Sequence, residues 1–129
     1  MLPAPPGQLF ESYLDPVAHA EITGAMVSIG RSPGDHFNAF DGAIVGRILH
    51  VVPMRLIVQT WRATHWGTED LDSILVLTFS EDPAGGRIDL VHVNVPEHDY
   101  EDVREGWEKY YWAPWRRYLV GRLGGFKNV

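Results

Sequence analysis

GWEKYYWAPWRRYL, Gly106 to Leu119, places three Trp and three Tyr in one short run near the carboxyl end of the chain. Its spacing predicts a helix. At about 100° per residue, Trp107, Tyr118, Tyr111, Trp115, Leu119, Trp112 and Leu123 fall within an arc of roughly 160°. Rings spread over so wide an arc are able to cover a curved sheet and also wall a cavity, because Tyr and Trp join a large apolar area to a polar tip. A helix simply packed on a core is the plainer account of the same pattern. The helix is expected to begin near Asp99 or Tyr100 and to stop before Gly124-Gly125. Gly106 within it costs up to about 1 kcal/mol relative to Ala, and its missing side chain is expected to admit a neighbouring strand. Pro114 removes a backbone donor, so a bend is expected over Tyr110–Pro114.

Working back from that helix, residues 25–95 switch to a period of two, with turn signals between the runs. The predicted strands are Ala25–Gly30, Asp35–Phe40, Ala43–Val52, Leu56–Thr64, Ser73–Glu81 and Arg87–Val95. RSPGD, Asp41-Gly42, Pro53 and Asp82-Pro83-Ala84-Gly85-Gly86 separate them, together with a polar segment from His65 to Asp72. Connections this short make the sheet antiparallel. Ahead of it, Leu9, Phe10, Tyr13 and Leu14 recur at helical spacing. Asp15-Pro16 then opens a second short helix that Gly24 closes. Six strands followed by one long aromatic helix imply an α+β fold: a curved antiparallel sheet wrapped around the C-terminal helix, with two short helices plugging one end.

The totals narrow the field. The chain has 129 residues, enough for one domain with a real core, and residues 1–129 are read as a single domain. Five Trp, five Tyr and five Phe spread along it argue against disorder. No apolar run approaches the roughly 20 residues of a membrane span, and the start MLPAPPGQLF has no signal-peptide pattern, so a cytoplasmic protein is expected. The absence of Cys removes disulfides, thiolate nucleophiles and sulfur-ligated zinc. A formal charge of −6 opposes nucleic-acid binding. Arg116, Arg117, Arg122 and Lys127 form a basic cluster that suits a helix C-terminus, as Glu97, Asp99, Glu101, Asp102 and Glu105 suit its start.

Laid out in this order, the chain resembles the family related to the activator of the heat-shock protein 90 ATPase, in particular its short bacterial members, within the START-like, birch-pollen-allergen-like superfamily. The resemblance rests on FNAFDGAIVG (Phe37–Gly46), IVQTWR (Ile57–Arg62) followed by Trp66, ILVLTF (Ile74–Phe79), LVHVNVP (Leu90–Pro96) and GWEKYYWAPWRRYL, in the family's order. It implies a helix-grip fold around a hydrophobic cavity. Bacterial members resemble small-molecule binders, whereas eukaryotic relatives carry the domain inside a larger co-chaperone; with one domain here, a chaperone contact is the weaker expectation. Family members also open with a strand, for which this sequence offers only Met1–Ala4. A neighbouring strand is therefore expected to keep unpaired backbone groups and to support a weak homodimer through that edge.

Patterns for chemistry are sparse. There is no His-Glu-x-x-His or similar metal pattern, no Gly-x-Ser-x-Gly elbow, and GRLGG near the end lacks the completion of a phosphate loop. No metal, no cofactor and no catalytic residue are predicted. His19, His36, His50 and His65 stand singly, and His92 and His98 with Asp99 lie across a proline turn. If Trp61 points inward, alternation puts Gln59 and Ile57 on its face. By the same rule His92 shares a face with Leu90 and Asn94, and His50 with Ile48 and Val52. Alternation alone leaves open whether Gln59, His50 and His92 face the hollow or solvent. The cavity candidates are thus Gln59, Trp61, His50, His92 and Asn94 from the sheet beneath Trp107, Tyr111, Trp115 and Tyr118 from the helix. The leading expectation is a non-catalytic binder of a small hydrophobic or aromatic molecule. A protein-interaction module or chaperone-ATPase regulator is the alternative. A cyclase or aromatase-like enzyme is a third reading, requiring an inward pair such as His92 with Asp41 or Tyr111.

Overall fold

The computed structural model describes the backbone of residues 2–127 and the side chains of residues 2–121. Two helices open the chain, α1 (Pro6–Leu14) and α2 (Pro16–Thr23). They break where the Asp15 side chain accepts the Val17 N–H at 2.9 Å, and Gly24, at φ 76°, ends α2 in the left-handed conformation. Leu9, Phe10, Tyr13 and Leu14, the residues at helical spacing, are all buried.

A six-stranded antiparallel meander follows: β1 (Ser28–Ile29), β2 (His36–Ala39), β3 (Ile44–Val52), β4 (Leu56–Ala63), β5 (Ser73–Asp82) and β6 (Gly85–Val93), in spatial order 1 to 6. Six strands lie where alternation puts them, but β1 is only a fragment of the expected Ala25–Gly30. On β4 the period of two is strict: Ile57, Gln59, Trp61 and Ala63 are buried on one face. On β3 it breaks, because the pairing of Ile48 with Gln59 is followed by that of His50 with Val58, leaving Leu49 as an extra residue. Gly46 faces the Thr60 carbonyl so closely that a Cβ there would lie 2.0 Å from the oxygen. The first strand expected at Met1–Ala4 is reduced to a bridge of two hydrogen bonds between Leu2 and Gly86, each 2.9 Å. Among the described residues no strand covers the rest of the outer edge of β6.

The C-terminal helix has three parts: α3 (Tyr100–Trp107), a π turn (Glu108–Trp112) and α4 (Ala113–Lys127). The irregularity expected at Tyr110–Pro114 takes this form because Pro114 has no N–H for the Tyr110 carbonyl. The preceding turn widens, and the Ala113 N–H bonds to the Glu108 carbonyl five residues back. Trp107, Tyr111, Trp115 and Leu119 are buried in a line of every fourth residue. On a regular helix such a line drifts by about 40° per step; the wider turn takes up part of that drift and keeps the row on the sheet.

Two expectations for this helix are corrected. It does not stop before Gly124-Gly125 but continues to Lys127, since glycine penalises a helix by about 1 kcal/mol without forbidding it. Gly106 admits no strand, as a Cβ there would meet only the Tyr110 ring, at 3.5 Å. The side chains of Leu123, Arg122 and Lys127 lie outside the described residues. No described helix is long and apolar enough to cross a membrane.

Candidate functional site

Beneath the helix lies a buried polar knot that neither periodicity nor motif announces. The His19 Nδ1 is 2.8 Å from the Tyr13 carbonyl oxygen, which only accepts, so Nδ1 carries the proton. Nε2 is then an acceptor, taking the Tyr111 hydroxyl at 2.8 Å. Tyr13 in turn donates to Gln59 Oε1 at 2.5 Å, and Gln59 Nε2 donates to the Thr60 carbonyl. Burial lowers the His19 pKa to about 4 and raises those of Tyr111 and Tyr13, so the knot is neutral. It ties α1, α2, β4 and the π turn together.

A second relay runs along the last strands. The Trp107 indole donates to His92 Nδ1 at 3.2 Å, which puts the His92 proton on Nε2, facing Ser73 Oγ at 2.7 Å. The Ser73 hydroxyl in turn donates to the Trp61 carbonyl at 2.5 Å. Burial lowers the His92 pKa to about 4 as well. The ring is thus a neutral strut that stands edge-on to both Trp61 and Trp107, with ring centroids 4.8 and 6.0 Å away.

These two networks hold the wall of a cleft of about 460 Å³ between α3, the π turn and the ends of β2–β4. Phe40, Trp61, Trp107, Tyr110 and Tyr111 supply its aromatic surface. Trp107 and Tyr111 lie 4.7 Å apart between centroids, and Phe40 meets Tyr111 edge-on at 5.6 Å. Phe40 reaches that position with φ 52°, a left-handed conformation costly for a residue with a Cβ, at the start of the Phe40–Gly42 turn. At the mouth stand His65, Asp99 and Asp102. The Asp99 carboxylate, 10 % exposed, accepts the Trp66 indole N–H at 2.6 Å and lies 3.1 Å from Nε2 of His65, whose side chain is 68 % exposed.

The sequence candidates separate accordingly. Trp61, Trp107 and Tyr111 line the cleft. Gln59 is fully buried behind it, held by Tyr13, and His92 braces Trp107 from the sheet. Trp115 is in the core, stacked near Trp112, and Tyr118 is half-buried against the core; neither lines the cleft. His50 is exposed, because the extra residue at Leu49 reverses the alternation that would have carried it inward with Ile48. Asn94 is exposed too: β6 ends at Val93, and at φ 64° Asn94 turns out to donate to the Asp72 carbonyl at 3.1 Å.

The pairings named for catalysis do not form, since His92 meets Ser73 and Trp107, and Asp41 accepts the Met26 N–H. Phe40, Tyr110, His65 and Asp99 were missed. The first sits in a turn, and the other three fall in segments that read as polar or off the helix arc. Among the described residues, no three His, Asp or Glu side chains converge as a metal site would require.

A curved antiparallel sheet gripping one long helix, with an aromatic cleft left between them, defines a START-like helix-grip domain. The chain belongs to the family described as Activator of Hsp90 ATPase homolog 1-like protein, whose sequence profile matches residues 3–119. It is 30 % identical over 111 residues to an uncharacterised protein of Schizosaccharomyces pombe, an alignment covering 86 % of this chain and 33 % of that protein. It is 26 % identical over 106 residues to the human Activator of 90 kDa heat shock protein ATPase homolog 1, covering 82 % and 31 %. The chain therefore spans about a third of the length of these curated relatives. The crystal structure of an HSP90 activator from Plasmodium falciparum superposes with a TM-score of 0.80 at 22 % identity, over 92 % of this chain and 89 % of that one, a likeness of fold.

Proposed function

We propose that this domain binds a small hydrophobic or aromatic molecule, without transforming it, in the cleft between the first half of the C-terminal helix and the sheet. The carrying observation is that Phe40, Trp61, Trp107 and Tyr111, packed ring to ring, line a cleft of about 460 Å³ that they leave unfilled. That size lies within the range of small-molecule sites. A non-catalytic role is supported by the two buried networks, in which the Tyr111 hydroxyl and both His92 nitrogens are occupied by the protein's own groups. A cytoplasmic setting is part of the same reading, from the cysteine-free composition.

The test is a panel of apolar dyes and aromatic compounds followed by thermal shift and tryptophan fluorescence. Binding should raise the melting temperature, and Trp107→Ala should weaken it about tenfold by removing one face of the wall. No shift with any compound would reject the proposal. Native mass spectrometry on protein from its own host would then name the guest.

The names of the human and Plasmodium relatives favour a second reading, a module that regulates a heat-shock protein ATPase. Purified chain added to the chaperone should raise its ATP turnover if this holds. Unchanged turnover together with no co-sedimentation would exclude it. Weak self-pairing through the open edge of β6 is compatible with either reading.

A further inference from the structure

We infer that the guest of this cleft is an organic cation, a protonated amine or quaternary ammonium group carried on an apolar or aromatic body; this rests on the small-molecule reading above. The lining residues include two carboxylates, Asp99 and Asp102, and no lysine or arginine. An anionic headgroup would meet those two carboxylates, with only the His65 imidazole at the mouth to receive it. A cation would find two carboxylates and five ring faces, whose negative quadrupoles attract positive charge when water is excluded.

Helix-start electrostatics accounts for Asp102, in the first turn of α3, while Asp99 is buried where the Trp66 indole N–H gives it a hydrogen bond at 2.6 Å but no opposite charge. A carboxylate withdrawn from water is costly unless paired. Its nearest cation-forming partner is His65, which stands mostly in solvent. The wall is also incomplete in another way: Trp61, more than nine-tenths buried, keeps an indole N–H that no protein group accepts. The same guest would thus carry an ammonium toward Asp99 and Asp102 and a ring against Trp61 and Trp107.

The test uses the full chain and three naphthalene probes that differ only in headgroup: a naphthylmethyl trimethylammonium ion, naphthylmethanol and naphthylacetate. Calorimetry at low and high salt should give the ammonium probe at least about tenfold tighter binding than the alcohol, the carboxylate the weakest, and an ammonium preference that shrinks with salt. Asp102→Asn, at an exposed position, should narrow the gap between ammonium and alcohol about threefold. Equal affinity for all three probes, or a preference untouched by Asp102→Asn, overturns the cation assignment while the apolar-cleft reading stands. No binding of any probe overturns both.

Discussion

His19 is the residue on which acid stability turns. In the unfolded chain its imidazole takes a proton below about pH 6.5, whereas in the fold burial holds its pKa near 4. Between those values the unfolded state binds more protons, so stability is full above pH 6.5 and is lost as the pH falls toward 4. The loss from this residue is about 3 kcal/mol, and the depressed pKa of His92 acts in the same direction. Urea midpoints measured from pH 7.5 to 4.5 should fall accordingly, and His19→Gln should flatten the slope; a slope unchanged in that variant would place its source elsewhere. Tyr111→Phe should cost about 1–2 kcal/mol at neutral pH, because His19 Nε2 loses its donor in a dry site. Gly46→Ala should cost at least about 2 kcal/mol by thermal melts, since the new methyl would run into the Thr60 carbonyl. Neither role was legible beforehand: His19 looked like one more isolated histidine, and its partners lie 6 and 92 residues away.

At the scale of the element, the C-terminal helix shows how a local fault is absorbed. Pro114 ought to cost about 3 kcal/mol in a regular helix interior, but the π turn before it removes the clash and keeps Trp107, Tyr111, Trp115 and Leu119 in one buried row. The packing of those four side chains, more than the proline, holds the widened turn. Pro114→Ala is therefore expected to change stability by less than about 1 kcal/mol and to leave the near-ultraviolet dichroism of the Trp cluster unchanged. A gain near the full proline penalty, with an altered aromatic spectrum, would mean that the proline imposes the turn. Strand periodicity was readable throughout β4 and β5, where each residue has one partner per side. It failed on β3, because an extra residue such as Leu49, between Ile48 and His50, leaves no mark of its own in the sequence.

For the molecule as a whole, the open edge is the exposed liability. Beyond the bridge to Leu2, no strand among the described residues pairs with the outer edge of β6, beside the exposed Val91 and Val93. Light scattering at high concentration should report a mass above the monomer, and Val91→Lys with Val93→Lys should return it to the monomer by charging the strand. A strict monomer for the unaltered chain would dispose of the idea. The cleft belongs to this scale too. Trp107 and Tyr111 share the arc that spacing gives the helix, whereas spacing left the facing of Trp61 open; Phe40 and Asp99 join them only because a turn after β2 and the start of α3 meet across the mouth.

The sequence by itself determined the α+β class, the meander of six strands, the two short opening helices and the aromatic row of the last helix, because hydrophobic period, turn residues and caps act over a few neighbouring positions. Only the tertiary structure decided which rings face a hollow and which fill the core, where His50 and Asn94 point, and that His19 and His92 are neutral struts. Those outcomes depend on a bulge, a widened turn and hydrogen bonds between groups far apart in the chain, and long-range packing settles them after local preference has been spent.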